Sequence, residues 1–166
     1  MNKVFILIGG NLGNRLQNLQ TAVILIERIV GPIKKISSIY ETAPWGVDGQ
    51  PNYYNQVLEI SSGLQAEQIM NLLLKIEEQM GRVRIEKYGS RIIDLDILFF
   101  NDAIICTDNL TIPHPRIQDR RFVLQPMAEI AGQFVHPLLK QTIQSLLLHT
   151  PDNGKVQIVI LEPYQL

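Results

Sequence analysis

Two carboxylates stand one residue apart inside a strongly apolar segment, and this pattern constrains the fold more than any other. The segment covers residues 92–100 with the sequence IIDLDILFF, and its two acidic residues are Asp94 and Asp96. Branched and aromatic residues at this density predict a strand, in which alternate side chains point to the same face. At about 3.3 Å of rise per residue, the two acids lie roughly 7 Å apart at the backbone.

Neighbouring carboxylates on one face of an apolar strand repel each other and resist ionisation unless a cation is shared between them. A hard divalent metal such as Mg²⁺ prefers oxygen ligands. The pair therefore favours a metal site at Asp94 and Asp96, although exposed strand edges also carry such pairs without a metal. Arg91 lies three residues before Asp94 and adds a side chain suited to phosphate. Together these residues indicate metal-assisted chemistry on a phosphate.

The composition is that of a globular protein. With 166 residues, 46% of them hydrophobic and 19% charged, we expect one domain spanning residues 1–166. The net charge of −1 provides no general attraction to nucleic acid or to a membrane, so we expect neither as a partner. One cysteine, Cys106, fits a reducing compartment, and its apolar neighbours predict that it is buried. We therefore expect a soluble, cytoplasmic monomer.

Apolar periodicity and turn residues predict the order of helices and strands along the chain. The predicted strands are 3–8, 33–42, 55–61, 92–100, 103–106 and 156–160, and the predicted helices are 16–30, 69–80, 122–130 and 142–148. Asn101 and Asp102 are expected to form a tight hairpin turn. The leading β-α-β-β-α-β order predicts an α+β ferredoxin-like fold, an antiparallel sheet with helices packed on it and C-terminal additions.

Two connections are long for a compact domain, and long connections often serve as binding loops or lids. The first, residues 43–54, contains Trp45 and Tyr53, which are either core aromatics or platforms for a flat heterocycle. In the second case the amide of Asn55 is suited to reading the edge of such a ring. The second connection, residues 82–90, is rich in basic residues.

Basic side chains cluster beside two loops of a nearly neutral chain. Seven of the fifteen lysines and arginines are Arg82, Arg84, Lys87, Arg91, Arg116, Arg120 and Arg121. Such a cluster is either a solvated surface or a site for polyphosphate, which arginine grips with two parallel hydrogen bonds. The acidic pair between the two clusters favours polyphosphate. A lone histidine is usually structural, but His114 is flanked by prolines that restrict its backbone and lies beside Arg116, which favours a role as a phosphate donor.

The turn after the first predicted strand is rich in glycine and resembles a nucleotide loop only superficially. Residues 9–13 have the sequence GGNLG. They lack the Lys-Ser/Thr pair of a Walker A loop and the spacing of a dinucleotide fingerprint. We interpret this segment as a structural turn between a strand and a helix.

Taken in order, these segments resemble the 6-hydroxymethyl-7,8-dihydropterin pyrophosphokinase family of folate biosynthesis. The matching segments are GGNLG at 9–13, YETAPWG at 40–46, QPNYYN at 50–55, GRVR at 81–84, YGSRIIDLDIL at 88–98, IPHPR at 112–116 and RF at 121–122. The resemblance implies a ferredoxin-like α+β fold. It also implies transfer of the pyrophosphoryl group of ATP to the hydroxymethyl oxygen of the pterin, with release of AMP.

The resemblance further implies roles for individual residues. Asp94 and Asp96 would hold two Mg²⁺ ions that bridge the triphosphate, and the catalytic set would include Arg82 and Arg91. The pterin would be bound by Thr42, Ala43, Pro44, Trp45, Tyr53, Asn55 and Phe122, with Tyr53 and Phe122 on its two faces. ATP would be bound by Glu77, Arg82, Arg84, Tyr88, Arg91, His114, Arg116 and Arg120.

Three positions depart from the family pattern. Gly10 stands where serine is usual, Tyr88 where tryptophan is frequent, and Asn109 where some members carry a charge. We expect the first change to alter only the turn and the second to alter the docking of its loop. Two other functions are compatible with the residues: a non-catalytic ferredoxin-like module that binds a ligand, and a metal-dependent nuclease. The low net charge disfavours the nuclease.

Overall fold

The structure is a computed structural model that describes residues 1–44, 49–81 and 89–162. Its strands are β1 (Asn2–Gly10), β2 (Ile33–Ile36), β3 (Tyr40–Thr42), β4 (Tyr53–Ser62), β5 (Asp94–Phe100), β6 (Ile105–Cys106), β7 (Thr111–Ile112) and β8 (Val156–Ile158). Its α-helices are α1 (Arg15–Ile29), α2 (Ala66–Gln79), α3 (Arg121–Ala131) and α4 (Ile143–His149), and a 3-10 helix covers Ile117–Asp119. Within these ranges, no helix combines the length and apolar character of a membrane span.

The main sheet has six strands in the described part of the chain. Their order is β5-β1-β4-β3-β8, with β2 also paired to β4, and every pairing is antiparallel. β2 and β3 act as two halves of one strand along β4. With that equivalence, β1 to β5 and the two helices between them form a βαββαβ unit with the spatial strand order 4-1-3-2. The predicted ferredoxin-like α+β fold is therefore confirmed.

The central strand β1 contributes to two separate cores because its side chains alternate between the two faces of the sheet. Val4, Ile6 and Ile8 are buried with α1 and α2. Phe5 and Leu7 are buried with α3 and α4. The C-terminal helices thus cover the face that the βαββαβ unit leaves open, which makes the predicted additions part of the folded core.

The helix ends follow the turn residues in the sequence. The Asn14 side chain accepts a 3.0 Å hydrogen bond from the backbone N–H of Gln17 and so caps the start of α1. Gly81 follows α2 with a φ of 88°, a left-handed conformation that glycine adopts without steric cost. The predicted positions of α1 and α2 are therefore confirmed to within a few residues.

The predicted hairpin after β5 is correct at the turn and wrong beyond it. Asn101 has a φ of 50°, and the N–H of Ala103 donates to the carbonyl of Phe100 at 3.0 Å, as in a tight turn. The following strand covers only β6 and pairs with β7 in a separate two-stranded sheet. The outer edge of β5 is instead met by the side chain of Glu77 and the backbone of His114.

The predicted burial of Cys106 is also wrong, since its side chain is exposed. In the two-residue pairing of β6 with β7, Ile105 lies opposite Ile112, which is 1% exposed. Successive side chains of a strand point to opposite faces. Because Ile105 takes the inner face, Cys106 projects outward, and apolar sequence neighbours do not bury it.

Candidate active site

One face of the main sheet gathers the acidic pair and a predicted pterin-binding residue. Gly9 pairs with Asn55 on one side and with Asp94 on the other, so these three residues form a row across β4, β1 and β5. Asp96 lies opposite Leu7, whose side chain is buried with α3 and α4. Directly paired residues in an antiparallel sheet point to the same side. Both aspartates and Asn55 therefore belong to the face that α3 and α4 cover.

Gly9 allows the side chain of Asn55 to lie close to the centre of this row. A methyl group at Gly9 would overlap the side-chain oxygen of Asn55 and would lie 3.1 Å from the carbonyl oxygen of Tyr54. Asn55 is 5% exposed, so its amide has little room to move aside. The first glycine of the GGNLG segment thus sets the position of a predicted ligand-binding amide.

Arg91 connects the acidic pair with a predicted pterin-binding aromatic residue. Its Nη1 lies 2.8 Å from Oδ2 of Asp94, and both side chains are partly exposed. Its Nε and Nη2 donate to the carbonyl oxygen of Gly89 at 3.2 and 3.1 Å. The guanidinium carbon lies 5.8 Å from the ring centroid of Tyr53, whose hydroxyl donates to the same Gly89 carbonyl at 3.4 Å.

Asn11 joins the ends of both long connections, although its segment is predicted to be only a structural turn. Its Oδ1 accepts a 2.8 Å hydrogen bond from the backbone N–H of Arg91. Its Nδ2 donates to the carbonyl of Pro51 at 3.1 Å and to the hydroxyl of Ser90 at 3.4 Å. The side chain is 2% exposed. The sequence signal that could have pointed to this role is an asparagine directly after a predicted strand in a glycine-rich segment.

Gly10 is required for the close approach of two backbone segments. A methyl group at this position would overlap the carbonyl oxygen of Ile92 and would lie 3.2 Å from that of Arg91. Gly10 is the last residue of β1, so the expectation that its departure from serine alters only a turn is wrong. This position instead lies where the backbone of Arg91 and Ile92, just before the acidic pair, approaches β1 closely.

Glu77 is a buried carboxylate that reaches from α2 to the edge strand β5. It is 2% exposed, and its Oε1 accepts a 2.8 Å hydrogen bond from the backbone N–H of Leu95. Leu95 is the residue between the two aspartates. Glu77 therefore supports the stretch of backbone that carries the acidic pair.

His114 lies beside the same edge, where its backbone N–H donates to the carbonyl of Leu98 at 3.0 Å. Its Nδ1 lies 2.9 Å from the carbonyl oxygen of Pro115, and a carbonyl only accepts, so Nδ1 carries the hydrogen. Burial lowers the pKa of His114. The Pro115 hydrogen bond raises it, the charge of Arg120 lowers it further, and that of Asp94 raises it. Because Nε2 of the neutral ring is an acceptor, donation to phosphate requires a protonated ring.

A cavity of about 280 Å³ lies where the start of α3 faces the end of β3. Its lining includes four residues predicted to bind the pterin, which are Thr42, Ala43, Pro44 and Phe122. The other lining residues are Glu41, Asn52, Asp152, Gly154, Lys155, Val156 and Gln157. Five of the eleven lining residues thus come from a C-terminal segment in which the sequence shows no motif. Tyr53 is the β4 partner of Thr42, so the aromatic platform adjoins this cavity.

The remaining predicted residues are distributed as follows. Arg120 lies next to the cavity, with its guanidinium carbon 5.9 Å from the ring centroid of Phe122. Arg116 is exposed just before the 3-10 helix, with a φ of 68°. Four predicted residues lie outside the described part of the chain, namely Trp45, Arg82, Arg84 and Tyr88.

Comparison with known proteins agrees with the fold and with the motifs. The family model for 7,8-dihydro-6-hydroxymethylpterin-pyrophosphokinase matches residues 5–132. The chain belongs to this family. The matched range of the pyrophosphokinase family includes every predicted site residue. It ends before Asp152 and the other C-terminal residues that line the cavity.

Individual relatives of the pyrophosphokinase family differ in length. The 2-amino-4-hydroxy-6-hydroxymethyldihydropteridine pyrophosphokinase of Bacillus subtilis is 41% identical over 133 residues, which are 80% of this chain and 80% of that protein. The folic acid synthesis protein FOL1 of Dictyostelium discoideum is 36% identical over 155 residues. That match covers 93% of this chain and 23% of the relative, so the chain spans about a quarter of that protein.

A solved structure shares the fold. The crystal structure of Plasmodium falciparum HPPK-DHPS with pteroate has a TM-score of 0.76 and 20% sequence identity to this chain. The match covers 89% of this chain and 42% of that one. At this level of identity the likeness supports the ferredoxin-like fold alone.

Proposed function

We propose that this protein transfers the pyrophosphoryl group of ATP to the hydroxymethyl oxygen of 6-hydroxymethyl-7,8-dihydropterin and releases AMP, as a step of folate biosynthesis. The observation that carries the proposal is the row in which Asp94 and Asn55 flank Gly9 on one sheet face. This row places the Asp94 carboxylate, which can bind a metal and through it phosphate, beside the Asn55 amide, which can bind the edge of a heterocycle. Family membership and the names of the relatives support the same chemistry.

On the acceptor side, we assign the pterin to the space between Tyr53 and Phe122. An aromatic ring stacks favourably on each face of a flat heterocycle. The Asn55 amide offers both a donor and an acceptor to the ring edge. The backbone of residues 42–45 completes this set, with Thr42, Ala43 and Pro44 lining the adjoining cavity. Trp45 belongs to the same proposed set.

On the nucleotide side, Asp94 and Asp96 fit Mg²⁺. Their carboxylates provide hard oxygen donors, lie on the same face and are only partly buried. Within the described ranges, no group of three or more His, Cys, Asp or Glu side chains could hold a metal ion. Mg²⁺ usually keeps water and phosphate oxygens beside one or two carboxylates, and this pair offers two. We propose two such ions, which when bound would neutralise charge on the triphosphate oxygens.

The other ATP-binding residues are assigned around this pair. We propose that Arg82 and Arg91 contact the phosphates, since their charge matches a transition state spread over several oxygens. Glu77 and His114 lie at the edge of β5 and are assigned to the nucleotide side. The same side includes Arg84, Tyr88, Arg116 and Arg120.

This reaction requires the protein to align the hydroxymethyl oxygen with the β-phosphorus of ATP and to exclude water. The hydroxymethyl oxygen loses its proton to solvent and forms a bond to the β-phosphorus of ATP. The bond from that phosphorus to the α,β-bridging oxygen breaks, and AMP leaves with that oxygen. Holding acceptor and donor in line replaces a bimolecular encounter. Exclusion of water from the bound substrates would prevent hydrolysis at the β-phosphorus. Asn11 hydrogen bonds to Pro51 and Ser90, which belong to the two long connections, and so links these connections.

We further propose that residues 1–166 form one domain that works as a cytoplasmic monomer.

The rival function, a non-catalytic module that binds a ligand, predicts pterin or nucleotide binding without turnover. The test is to incubate the protein with ATP and Mg²⁺, with and without hydroxymethyl-dihydropterin, and to quantify AMP and ADP. The proposed function predicts AMP that depends on the pterin, with no accompanying ADP. Binding of both substrates without AMP would favour the rival.

A further inference from the structure

The C-terminal segment of residues 150–158 links the two walls of the cavity beside the acceptor site. One wall is the start of α3, which contains Phe122, and the other is the end of β3, which contains Thr42. The segment hydrogen bonds to both. It lies beyond residues 5–132, the range shared with the family.

Asp152 fastens the segment to the α3 wall. Its Oδ2 accepts a 2.9 Å hydrogen bond from the backbone N–H of Arg121, and its carbonyl oxygen accepts one of 2.8 Å from Nε of the same arginine. Its Oδ1 accepts a 2.8 Å hydrogen bond from the N–H of Gly154. Because Phe122 follows Arg121 directly, this carboxylate fixes the backbone from which the Phe122 ring projects.

Thr150 strengthens this attachment from the other side of Asp152. Its hydroxyl donates to the carbonyl of Gln118 at 2.8 Å and accepts from the N–H of Asp152 at 3.3 Å. The segment is thus bonded to the chain both before and after Arg120. Hydrogen bonds to a charged acceptor contribute more to stability than neutral ones, so the Asp152 carboxylate is the main attachment.

Strand β8 fastens the same segment to the β3 wall. Val156 pairs with Thr42, and Ile158 pairs with Tyr40, in an antiparallel ladder. The N–H of Val159 continues this pairing with a 2.8 Å hydrogen bond to the carbonyl of Ile39. Only three residues separate Asp152 from Val156, so this segment forms a short tether between the two walls.

We propose that Asp152 is a positioning residue for the acceptor pocket, where it holds Phe122 at the separation from the Thr42 to Pro44 segment that the pterin requires. This assignment rests on the proposed function. We therefore expect that loosening the tether weakens pterin binding much more than it weakens ATP binding, for which Arg120 beside the tether is assigned, and leaves the chemical step intact. A merely structural role would reduce stability without separating the two substrates.

The test compares wild type with two variants of the tether and one control. Asp152→Ala removes the carboxylate. Gly154→Ala is gentler, since its methyl group lies 2.9 Å from Oδ1 of Asp152 and displaces that carboxylate without removing it. Asp108→Asn is the matched control because Asp108 is an exposed acid in the loop between β6 and β7. KM for each substrate and kcat are measured from AMP formation, and the Arg121 amide is followed by NMR hydrogen exchange.

Asp152→Ala is expected to raise KM for the pterin about tenfold, the equivalent of losing charge-assisted hydrogen bonds. KM for ATP and kcat should stay within about twofold of wild type, and the Arg121 amide should exchange faster. Gly154→Ala should shift the pterin KM in the same direction by less, and Asp108→Asn should shift nothing. An unchanged pterin KM in a folded Asp152→Ala protein would overturn the assignment. So would equal changes for both substrates.

If Asp152→Ala does not fold, the pterin KM of Gly154→Ala tests the positioning role instead. A wild-type pterin KM in that variant contradicts the proposal. The wild-type arm separates the two claims. Wild-type protein that forms no pterin-dependent AMP contradicts the proposed function and removes this assignment with it. Active wild type together with unaffected variants contradicts the positioning role alone.

Discussion

The backbone N–H of Leu95 donates a 2.8 Å hydrogen bond to the carboxylate of Glu77, a side chain that is 2% exposed. Leu95 separates Asp94 from Asp96 on β5, which is the edge strand of the main sheet. An edge strand has no further strand to satisfy its outer N–H groups. Glu77 satisfies one of them between the two residues of the acidic pair.

Replacing Glu77 with leucine should destabilise the protein and lower kcat. The substitution leaves the Leu95 N–H buried without its acceptor, which costs about 1–3 kcal/mol of unfolding free energy. Glu77→Gln keeps a side-chain oxygen and should retain most of the stability. Chemical denaturation measures the unfolding free energy of both variants, and AMP formation measures kcat. The control is Glu78→Leu, at the next, exposed position. Equal losses in Glu77→Leu and Glu78→Leu would show that the hydrogen bond to Leu95 is unimportant.

Gly9→Ala should weaken pterin binding selectively. The added methyl group would overlap the side-chain oxygen of Asn55 and force the amide out of its row. We expect KM for the pterin to rise about tenfold or more, a change of at least about 1.4 kcal/mol in binding. KM for ATP should change little. Gly63→Ala is the control, because its methyl group would meet only the Met1 sulfur at 3.7 Å. An unchanged pterin KM in Gly9→Ala would contradict the role of Asn55.

Asn11→Ala should impair the use of both substrates. It removes the hydrogen bonds to Pro51 and Ser90 and leaves the Arg91 N–H without its side-chain acceptor. Leaving this partly buried donor without its acceptor costs about 1 kcal/mol, and we expect both KM values to rise together. Steady-state kinetics with each substrate varied in turn would check this. Asn71→Ala, on the exposed side of α2, serves as control, and a change confined to one substrate would argue against coupling of the two connections.

Stability should fall as the pH drops below about 6.5, the ordinary pKa of histidine, partly because of His136. Burial lowers the pKa of His136, and its Nδ1 accepts hydrogen bonds from the N–H groups of Leu138 and Leu139 at 3.2 and 3.1 Å. Protonation breaks both bonds. The folded state therefore binds fewer protons than the unfolded state, so this stabilisation is present above that pH and lost below it.

His136→Gln should flatten this pH dependence without abolishing it. Burial also lowers the pKa of His114, which contributes a slope of the same sign. The measurement is the free energy of unfolding of both proteins between pH 5 and pH 8. Identical slopes in wild type and His136→Gln would show that His136 has the same pKa in the folded and unfolded states, which would contradict this prediction.

The fold was predictable because its signals are local. Periodicity at β1, α1, α2 and β5 reports which faces are buried, and the order of these elements leads directly to the ferredoxin-like sheet. The same reasoning failed at Cys106, because the face of a two-residue strand depends on its pairing partner. Apolar neighbours in sequence contain no information about that partner.

The grouping of the candidate site residues could be predicted only where the residue type itself indicates the chemistry. Asp94, Asp96, Asn55 and Arg91 belong to recognisable segments, and the structure brings them to one part of the molecule. Asp152 carries no such signal, since its role depends on contacts with residues about thirty positions away. Contacts of that kind depend on tertiary structure and leave no periodic pattern in a single sequence.

The central claim concerns which bond of ATP breaks, and isotope labelling tests it most directly. ATP labelled at the β-phosphorus is incubated with Mg²⁺, hydroxymethyl-dihydropterin and either wild-type protein or Asp96→Ala, and the products are separated. We predict that wild-type protein moves the label to the pterin while unlabelled AMP accumulates. Asp96→Ala should remain folded by circular dichroism and transfer no label. Label that stays in the nucleotide with wild-type protein, or full transfer by Asp96→Ala, would contradict the account.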